Sequence, residues 1–305
     1  MKRLAVIICT YAPNMDFLTR TLDALNKQDL STEKWRLVIV DNASPNPLSK
    51  DLLKPLIKRD FELITEAKPG LVFARLAGYE ATDEEILVYV DDDNLLATDY
   101  LSKALEIAEQ YPFLGAWSGN LVGEFEKEPT PDLIPYLDHL ALREVKQEAW
   151  ANFPNYNCSP WGAGMCLHRR VMTAYKKSMD SPHRSSLGVK GKSLARGEDT
   201  DIAYIACSIG LGIGVFPQLI LTHIIPTNRL EKDYLRRIAE ESTFANVMVS
   251  FLHGLPLPPT PTTLGRIKRL FSRLTQAGTF EHEIEEANIR GIKRALNAIK
   301  NSNSN

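Results

Sequence analysis

The sequence predicts a doubly wound α/β unit, a mostly parallel sheet with helices on both faces, followed by a helical C-terminal extension. Three observations carry this. Apolar runs of strand length recur through the first third of the chain, amphipathic stretches separate them, and polar or acidic residues follow each run directly. Strands that are apolar on both faces and joined through helices are what a sheet covered on both sides requires.

Taken in order, residues 3–9 read as the first strand. Lys2-Arg3 before Leu4 gives a faint likeness to a leader peptide, but the apolar run is short and ends at Thr10-Tyr11-Ala12-Pro13 without a small-residue cleavage site. Helical periodicity over 17–27 leads to a second strand at 35–40. A helix over 48–58 precedes a third strand at 62–65, and a helix over 71–81 precedes a fourth at 86–90. Another helix covers 99–110. From about Ala116 the alternation stops, and 124–157, rich in charge, proline and aromatics, reads as a wrapping or partner-facing segment. The pattern resumes at Trp161 to His168. The Ser/Gly/Lys-rich loop 178–196 reads as a lid that delivers Gly197-Glu198-Asp199-Thr200-Asp201 to a helix start, with Asp199 or Thr200 as its cap. Beyond Pro226 helices are expected over 231–252, 263–274 and 280–300, with a Pro-rich break at 255–261 and a frayed tail at 301–305.

Composition narrows the function. Among 305 residues, 36 basic and 38 acidic side chains leave a formal charge of −2, which gives no global basic field for nucleic acid. A membrane-spanning helix needs roughly 20 apolar residues, and no run approaches that. The 4 cysteines show no CxxC spacing, so neither a zinc site nor a disulfide framework is expected, and the cytoplasm is the simplest compartment.

In a doubly wound sheet the ligand crevice lies outside the carboxyl ends of the strands. Those positions hold Thr10-Tyr11, Asp41-Asn42, the stretch 66–70 and Asp91-Asp92-Asp93-Asn94. Three consecutive carboxylates repel one another unless a cation sits among them, and oxygen ligands suit Mg²⁺ or Mn²⁺. Alternate side chains of an extended segment share a face, so Asp91 and Asp93 can address one ion. A solvated acidic turn is the other reading, and the place at the crevice edge favours the ion. Glu198-Asp199 reads equally as a helix cap, because acidic groups are favoured at helix starts. His223 closes an apolar run and is either a hydrogen-bonded imidazole or a metal ligand.

The order and spacing of these motifs resemble the family 2 glycosyltransferases of the GT-A fold. The matching residues are Val6 to Tyr11, Val38 to Ser44, Pro69-Gly70-Leu71 leading to Arg75 and Gly78, Val90 to Asn94, Gly162-Ala163-Gly164-Met165, Gly197 to Asp201, and His223 followed by Pro226. The resemblance implies that Thr10, Tyr11 and Asp41 hold the base and ribose of a sugar nucleotide, with Gly70 and Arg75 nearby. A carboxylate accepting from a pyrimidine imide N–H favours UDP- or dTDP-sugars. It further implies that Asp91, Asp93 and His223 bind Mn²⁺ or Mg²⁺, that Asp92 faces the ribose or a turn, and that Asp199 is the catalytic base of a single displacement with inversion. Glu198 then orients the acceptor or caps the helix. Gly162, Ala163 and Gly164 leave room for the sugar or acceptor, and Trp161 offers either a stacking face or a core aromatic.

On this reading residues 1–118 form the nucleotide-sugar half, 119–228 the acceptor and catalytic half, and 229–305 the helical extension. No Gln-x-x-Arg-Trp element follows Asp199, so one sugar per encounter is expected, with a glycan or lipid-linked acceptor. The basic amphipathic stretch 264–275 either rests on an anionic membrane at the inner face of the cytoplasmic membrane or packs on protein; a homo-oligomer is left open. Competing classes are a sugar-nucleotide or glycan-binding module without turnover, a sugar-nucleotide pyrophosphorylase, and a glycosidase using two carboxylates. The pyrophosphorylase expects a Gly-rich basic phosphate loop where Thr10-Tyr11-Ala12-Pro13-Asn14 stands.

Overall fold

The computed structural model describes residues 4–181, 184, 187, 197–258 and 279–302. Its sheet begins with four parallel neighbours, β3 (Phe61–Glu66), β2 (Trp35–Asn42), β1 (Leu4–Thr10) and β4 (Ile86–Asp91). It continues through β8 (Cys166–His168), β6 (Leu114–Phe125), β9 (Gly212–Ile225) and β5 (Asn94–Leu96), with β7 (Ala149–Ala151) also on β9. The parallel expectation holds as far as β4. Beyond it the sheet is mixed, because β8 runs antiparallel to β4 and β6, and β5 and β7 run antiparallel to β9. Antiparallel neighbours need no crossover helix, so the chain inserts very short strands here that no periodicity announces.

Residues along β1 alternate between two cores. Leu4, Val6 and Ile8 face one with α1 (Met15–Asn26) and α4 (Tyr100–Gln110); Ala5, Ile7 and Cys9 face the other with α3 (Leu71–Glu80), α5 (Arg169–Ser178) and α6 (Glu198–Ser208). All seven β1 residues are buried, so this strand is anchored on both faces and its end at Thr10 is a fixed point for the crevice. Gly78 on α3 permits that packing, since a Cβ there would strike the Ile7 side chain.

Three sequence expectations change. The helix over 48–58 is only a short α2 (Lys50–Leu53) and a 3₁₀ turn Lys54–Leu56, with Pro55, which has no N–H to continue the α-helical ladder, inside the turn. The segment 124–157 carries a 3₁₀ helix Ile134–Leu140 and β7, and its residues enter the cleft described below. The helix after Gly197 starts at Glu198 and is capped by Gly197 without a side-chain bond, so Asp199 stands inside its first turn. The helix over 263–274, the basic amphipathic stretch 264–275 and most of the loop 178–196 lie outside the described residues.

The C-terminal helices α7 (Lys232–Leu252) and α8 (Phe280–Ser302) are built into the cores. Val247, Met248 and Ala295 join the face of the sheet that holds Ile7, while Leu235, Ile238, Ile284 and Ala287 close a third cluster with Leu140 and Ile225. Gly291 lets the two helices approach closely, because a Cβ there would meet the Glu240 carbonyl oxygen of α7. Among the described residues no helix is long and apolar enough to cross a membrane.

Candidate active site

A cleft of about 530 Å³ opens at the carboxyl ends of β1, β2 and β4. Its size is typical of small-molecule sites. Thr10, Tyr11, Gly70, Arg75, Asp91, Asp92, Asp93, Trp161, Gly162, Ala163, Glu198, Asp199 and His223 all line it, having come from six separate stretches of chain. Asp41 stands just behind the lining, and Gly164 is turned away from it.

The first wall is made of strand ends. Asp41 closes β2 and is buried; its Oδ2 accepts from the Leu48 N–H at 2.7 Å, while its Oδ1 is buried with no hydrogen-bond partner. An orphaned carboxylate oxygen is costly, and an incoming N–H relieves it. Asn42 ties β2 to the next loop, donating to the carbonyls of Glu66 and Lys68 and accepting from Gly70 N–H at 2.8 Å. Gly70 has φ 136, a conformation glycine takes without a side-chain clash. Ala12 and Ala43, directly after the β1 and β2 ends, both hold left-handed backbone (φ 46 and 57), so strain gathers at this edge. Tyr11 is 61% exposed and presents its ring to the cleft.

The acidic triplet sits where two strands are forced together. A tight turn after β4 leads into β5, whose Asn94 is paired with His223 of β9, and the Ile224 N–H donates to the Asp93 carbonyl at 2.9 Å. That register sets His223 Nε2 3.4 Å from Asp93 Oδ2. Arg229, from the 3₁₀ turn Thr227–Leu230, lies between them: its Nη2 is 3.1 Å from Asp93 Oδ2, and its Nη1 is 3.0 Å from His223 Nε2. Burial works against the Arg229 charge, but Asp93, Tyr234 and Asp91 together more than offset it and raise the guanidinium pKa. Asp92 accepts from the Thr10 hydroxyl, tying the triplet to β1. Burial and the neighbouring Asp93 push its carboxyl up to about 7.

Among the described residues no three His, Cys, Asp or Glu side chains converge as an ion cage. Asp93 and His223 do converge, and the cation between them is Arg229. Arg229 Nη1 is a donor, so His223 Nε2 offers it a lone pair, and the imidazole carries its proton on Nδ1, which is buried without a partner. A carboxylate oxygen and an imidazole lone pair turned toward one cation suit a hard divalent ion, with Asp91 lining the same cleft.

The opposite wall starts at α6. Asp199 Oδ2 accepts from the Gly162 N–H at 2.8 Å and its Oδ1 from the Thr200 N–H at 2.7 Å. These bonds hold the carboxylate in place and leave it lone pairs for a further proton donor. Glu198 beside it is buried against Arg75, with Nη1 3.3 Å from Oε1. Burial pushes the Glu198 carboxyl up to about 7 against the pull of Arg75. Arg75 is itself fully enclosed, and Glu198, Asp91 and Asp199 together hold it protonated. Arg75 thus lies against Glu198 at the start of α6 and lines the cleft. Gly162 must be glycine: a Cβ there would stand 2.6 Å from Arg75 Nη2 and 3.3 Å from Asp199 Oδ2.

Gly164 serves packing. It has φ +69, a Cβ on it would meet the Tyr100 hydroxyl at 2.5 Å, and that hydroxyl donates to the Gly164 carbonyl. Trp161 packs its partly buried ring on the core and lines the cleft, with the Arg143 guanidinium 5.0 Å from the ring centre. Burial pushes the Cys9 thiol up to about 12, which rules out a resting thiolate nucleophile at this point of the lining.

Sequence reading missed several lining residues. Asp138, His139 and Tyr156 come from the segment read as wrapping, and Ser242, Thr243 and Asn246 from α7. Ala245 of α7 packs against the Gly197 backbone, where a Cβ would be 2.8 Å away, so α7 abuts the start of the Asp199 helix. Arg229, missed as well, carried a readable signal as a basic residue just past His223.

The model of glycosyl transferase family 2 matches residues 5–167, just over half of the chain. An N-acetylglucosaminyltransferase of Bradyrhizobium diazoefficiens is 22% identical over 255 residues, 81% of this chain and 50% of the relative, so the chain spans half of that protein's length. An N-acetylglucosaminyltransferase of Bradyrhizobium elkanii is 30% identical over 129 residues, 40% of this chain and 68% of the relative. Among solved structures, S. aureus TarS 1-349 matches with a TM-score of 0.54 at 14% identity over 96% of this chain and 89% of that one. A longer S. aureus TarS structure matches with 0.52 at 16% identity over 78% of this chain and 39% of that one. At such identity the structural match speaks for the fold, a GT-A-like mixed sheet, while the family model speaks for descent. The chain belongs to glycosyl transferase family 2.

Proposed function

We propose that the chain is an inverting, divalent-metal-dependent glycosyltransferase that moves one sugar from a UDP- or dTDP-sugar to a hydroxyl of a glycan or lipid-linked acceptor. The observation that carries this is the placement of Asp199, backbone-anchored and in the same cleft as the Asp93–His223 pair.

The strand-end wall binds the nucleotide. Asp41 Oδ1 accepts the imide N–H of a pyrimidine, Tyr11 covers the base, and Thr10 and Asp92 border the ribose. Asp93 and His223, with Asp91 in the same lining, would hold the ion. A bound Mg²⁺ or Mn²⁺ supplies Lewis-acid neutralisation of the diphosphate's charge. From the far side, Asp199 takes the proton of the acceptor hydroxyl as its oxygen bonds to the anomeric carbon. The bond from that carbon to the diphosphate oxygen breaks, and the nucleoside diphosphate leaves with the electron pair. Gly162 keeps backbone close to the reacting sugar, and Glu198 with Arg75 holds the start of α6 in position.

The sugar for which the two Bradyrhizobium relatives are named, N-acetylglucosamine, is the first to test as donor. Release of UDP from UDP-N-acetylglucosamine in Mn²⁺, absent in EDTA and accelerated by a hydroxyl acceptor, is the expected result, with a β-linked product from the α-linked donor by NMR. An α-linked product would overturn inversion. Nucleotide binding without release from any UDP- or dTDP-sugar would favour the binding module.

A further inference from the structure

In this chain the place a metal would take on Asp93 and His223 is held by a side chain of the protein itself. Arg229 reaches Asp93 Oδ2 with one guanidinium nitrogen at 3.1 Å and His223 Nε2 with the other at 3.0 Å. Those two acceptor atoms are the ones turned toward a common cation, and the single lone pair of His223 Nε2 cannot serve the guanidinium and a metal at once. Arg229 also lines the cleft, and its side chain is 24% exposed, so it has somewhere to go.

We infer that Arg229 is an exchangeable counter-ion: it occupies the metal's place on Asp93 and His223 when no donor is bound, and passes to the donor's diphosphate when the metal enters. The inference rests on the transferase reading and deepens it. A buried carboxylate left without a cation is costly, and Arg229 meets that need in the empty cleft. Its fork of N–H donors matches two phosphate oxygens as well as it matches a carboxylate and an imidazole, so displacement leaves it a new partner close by. The arrangement makes metal alone a weak ligand, because it must evict a tethered charge. It also makes metal and nucleotide enter together, since the diphosphate receives the evicted group.

The test uses the full chain, MnCl₂ and UDP, and compares wild type with Arg229→Ala and Arg229→Lys by calorimetry. Without its competitor, Arg229→Ala should bind Mn²⁺ alone about tenfold more tightly than wild type, while binding UDP in saturating Mn²⁺ about tenfold more weakly, both within the usual range of coupling between sites. Arg229→Lys, which keeps charge and loses the fork, should fall between the two on both scales. The opposite signs are the signature, because a damaged fold would weaken both. Unchanged or weaker Mn²⁺ binding in Arg229→Ala overturns the inference, as does unchanged UDP binding. If wild type binds UDP in Mn²⁺ and the variants match it, the Arg229 inference alone fails; if wild type binds no nucleoside diphosphate, the transferase reading fails first.

Discussion

The wall of the cleft made by Thr10, Asp41, Asn42 and Asp91 to Asp93 differs from the wall made by Tyr156, Trp161, Gly162, Asp199 and Asn246 in what holds it. The first is the ends of three adjacent parallel strands, buried on both faces and locked by ladder register. The second gathers a 3₁₀ turn, a loop, the start of α6 and the middle of α7, held by side-chain contacts such as Gly162 N–H on Asp199 and Ala245 on Gly197. A wall set by sheet register tolerates substitution of its side chains without moving, whereas one set by side-chain contacts moves when a contact is changed. Binding and chemistry are therefore expected to be separable by mutation, with binding losses on the first wall and turnover losses on the second.

The sharpest separation comes from Asp199→Asn. It should lower kcat by about a hundredfold or more, the scale of a lost general base, while calorimetric UDP affinity stays within about threefold. Equal loss of both would place Asp199 in the nucleotide wall and break the comparison. Gly162→Ala is next. Its Cβ would press on Arg75 and the Asp199 carboxylate, so kcat should fall at least about tenfold from a misplacement well under 1 Å, with UDP binding little changed.

Asp41→Asn reverses the pattern. The amide oxygen can keep the Leu48 N–H, but an N–H now faces the imide, so UDP affinity should fall about tenfold with the melting temperature nearly unmoved. A melting temperature drop as large as that of a core Leu→Ala change would make Asp41 structural.

Smallest is a pH effect at Glu198. Its folded carboxyl, raised to about 7, keeps a proton that an unfolded carboxyl, near 4.5, has already lost. The native state binds more protons between those values, so stability falls as pH rises from about 4.5 to 7 and is level on either side. Glu198→Gln should remove that slope, leaving the variant a few degrees more stable relative to wild type at pH 7.5 than at pH 4.5. A wild-type advantage that grows with pH would mean that the Arg75 pair dominates and the carboxyl is ionised throughout.

The same contrast explains what could be read from the chain. The parallel strands through β4, the crevice at their ends and the acidic triplet follow from Val/Ile runs and the polar residues after them, all local signals. The short strands β5 and β7 have three residues each and were invisible, yet β5 is what sets Asp93 beside His223. Asp138, Tyr156 and Asn246 reach the cleft through packing between distant segments, which no periodicity encodes. Arg75 was found by motif, but its partner was not legible, because a buried guanidinium goes where buried carboxylates are, and here Glu198 is 123 positions away on α6. Gly164 shared a glycine run with Gly162, but the two face opposite ways, one over Arg75 and the other onto Tyr100.

The claim beneath these contrasts is that the strand-end wall holds a pyrimidine nucleoside diphosphate together with a divalent ion. Calorimetric titration of wild type and Asp41→Asn with UDP, dTDP, GDP and CDP, each in Mn²⁺, Mg²⁺ and EDTA, tests it most directly. Micromolar binding of UDP or dTDP by wild type that is lost in EDTA and weakened about tenfold in Asp41→Asn is the predicted result. Equal binding of GDP and UDP, or UDP binding indifferent to both EDTA and the Asp41 substitution, would contradict it.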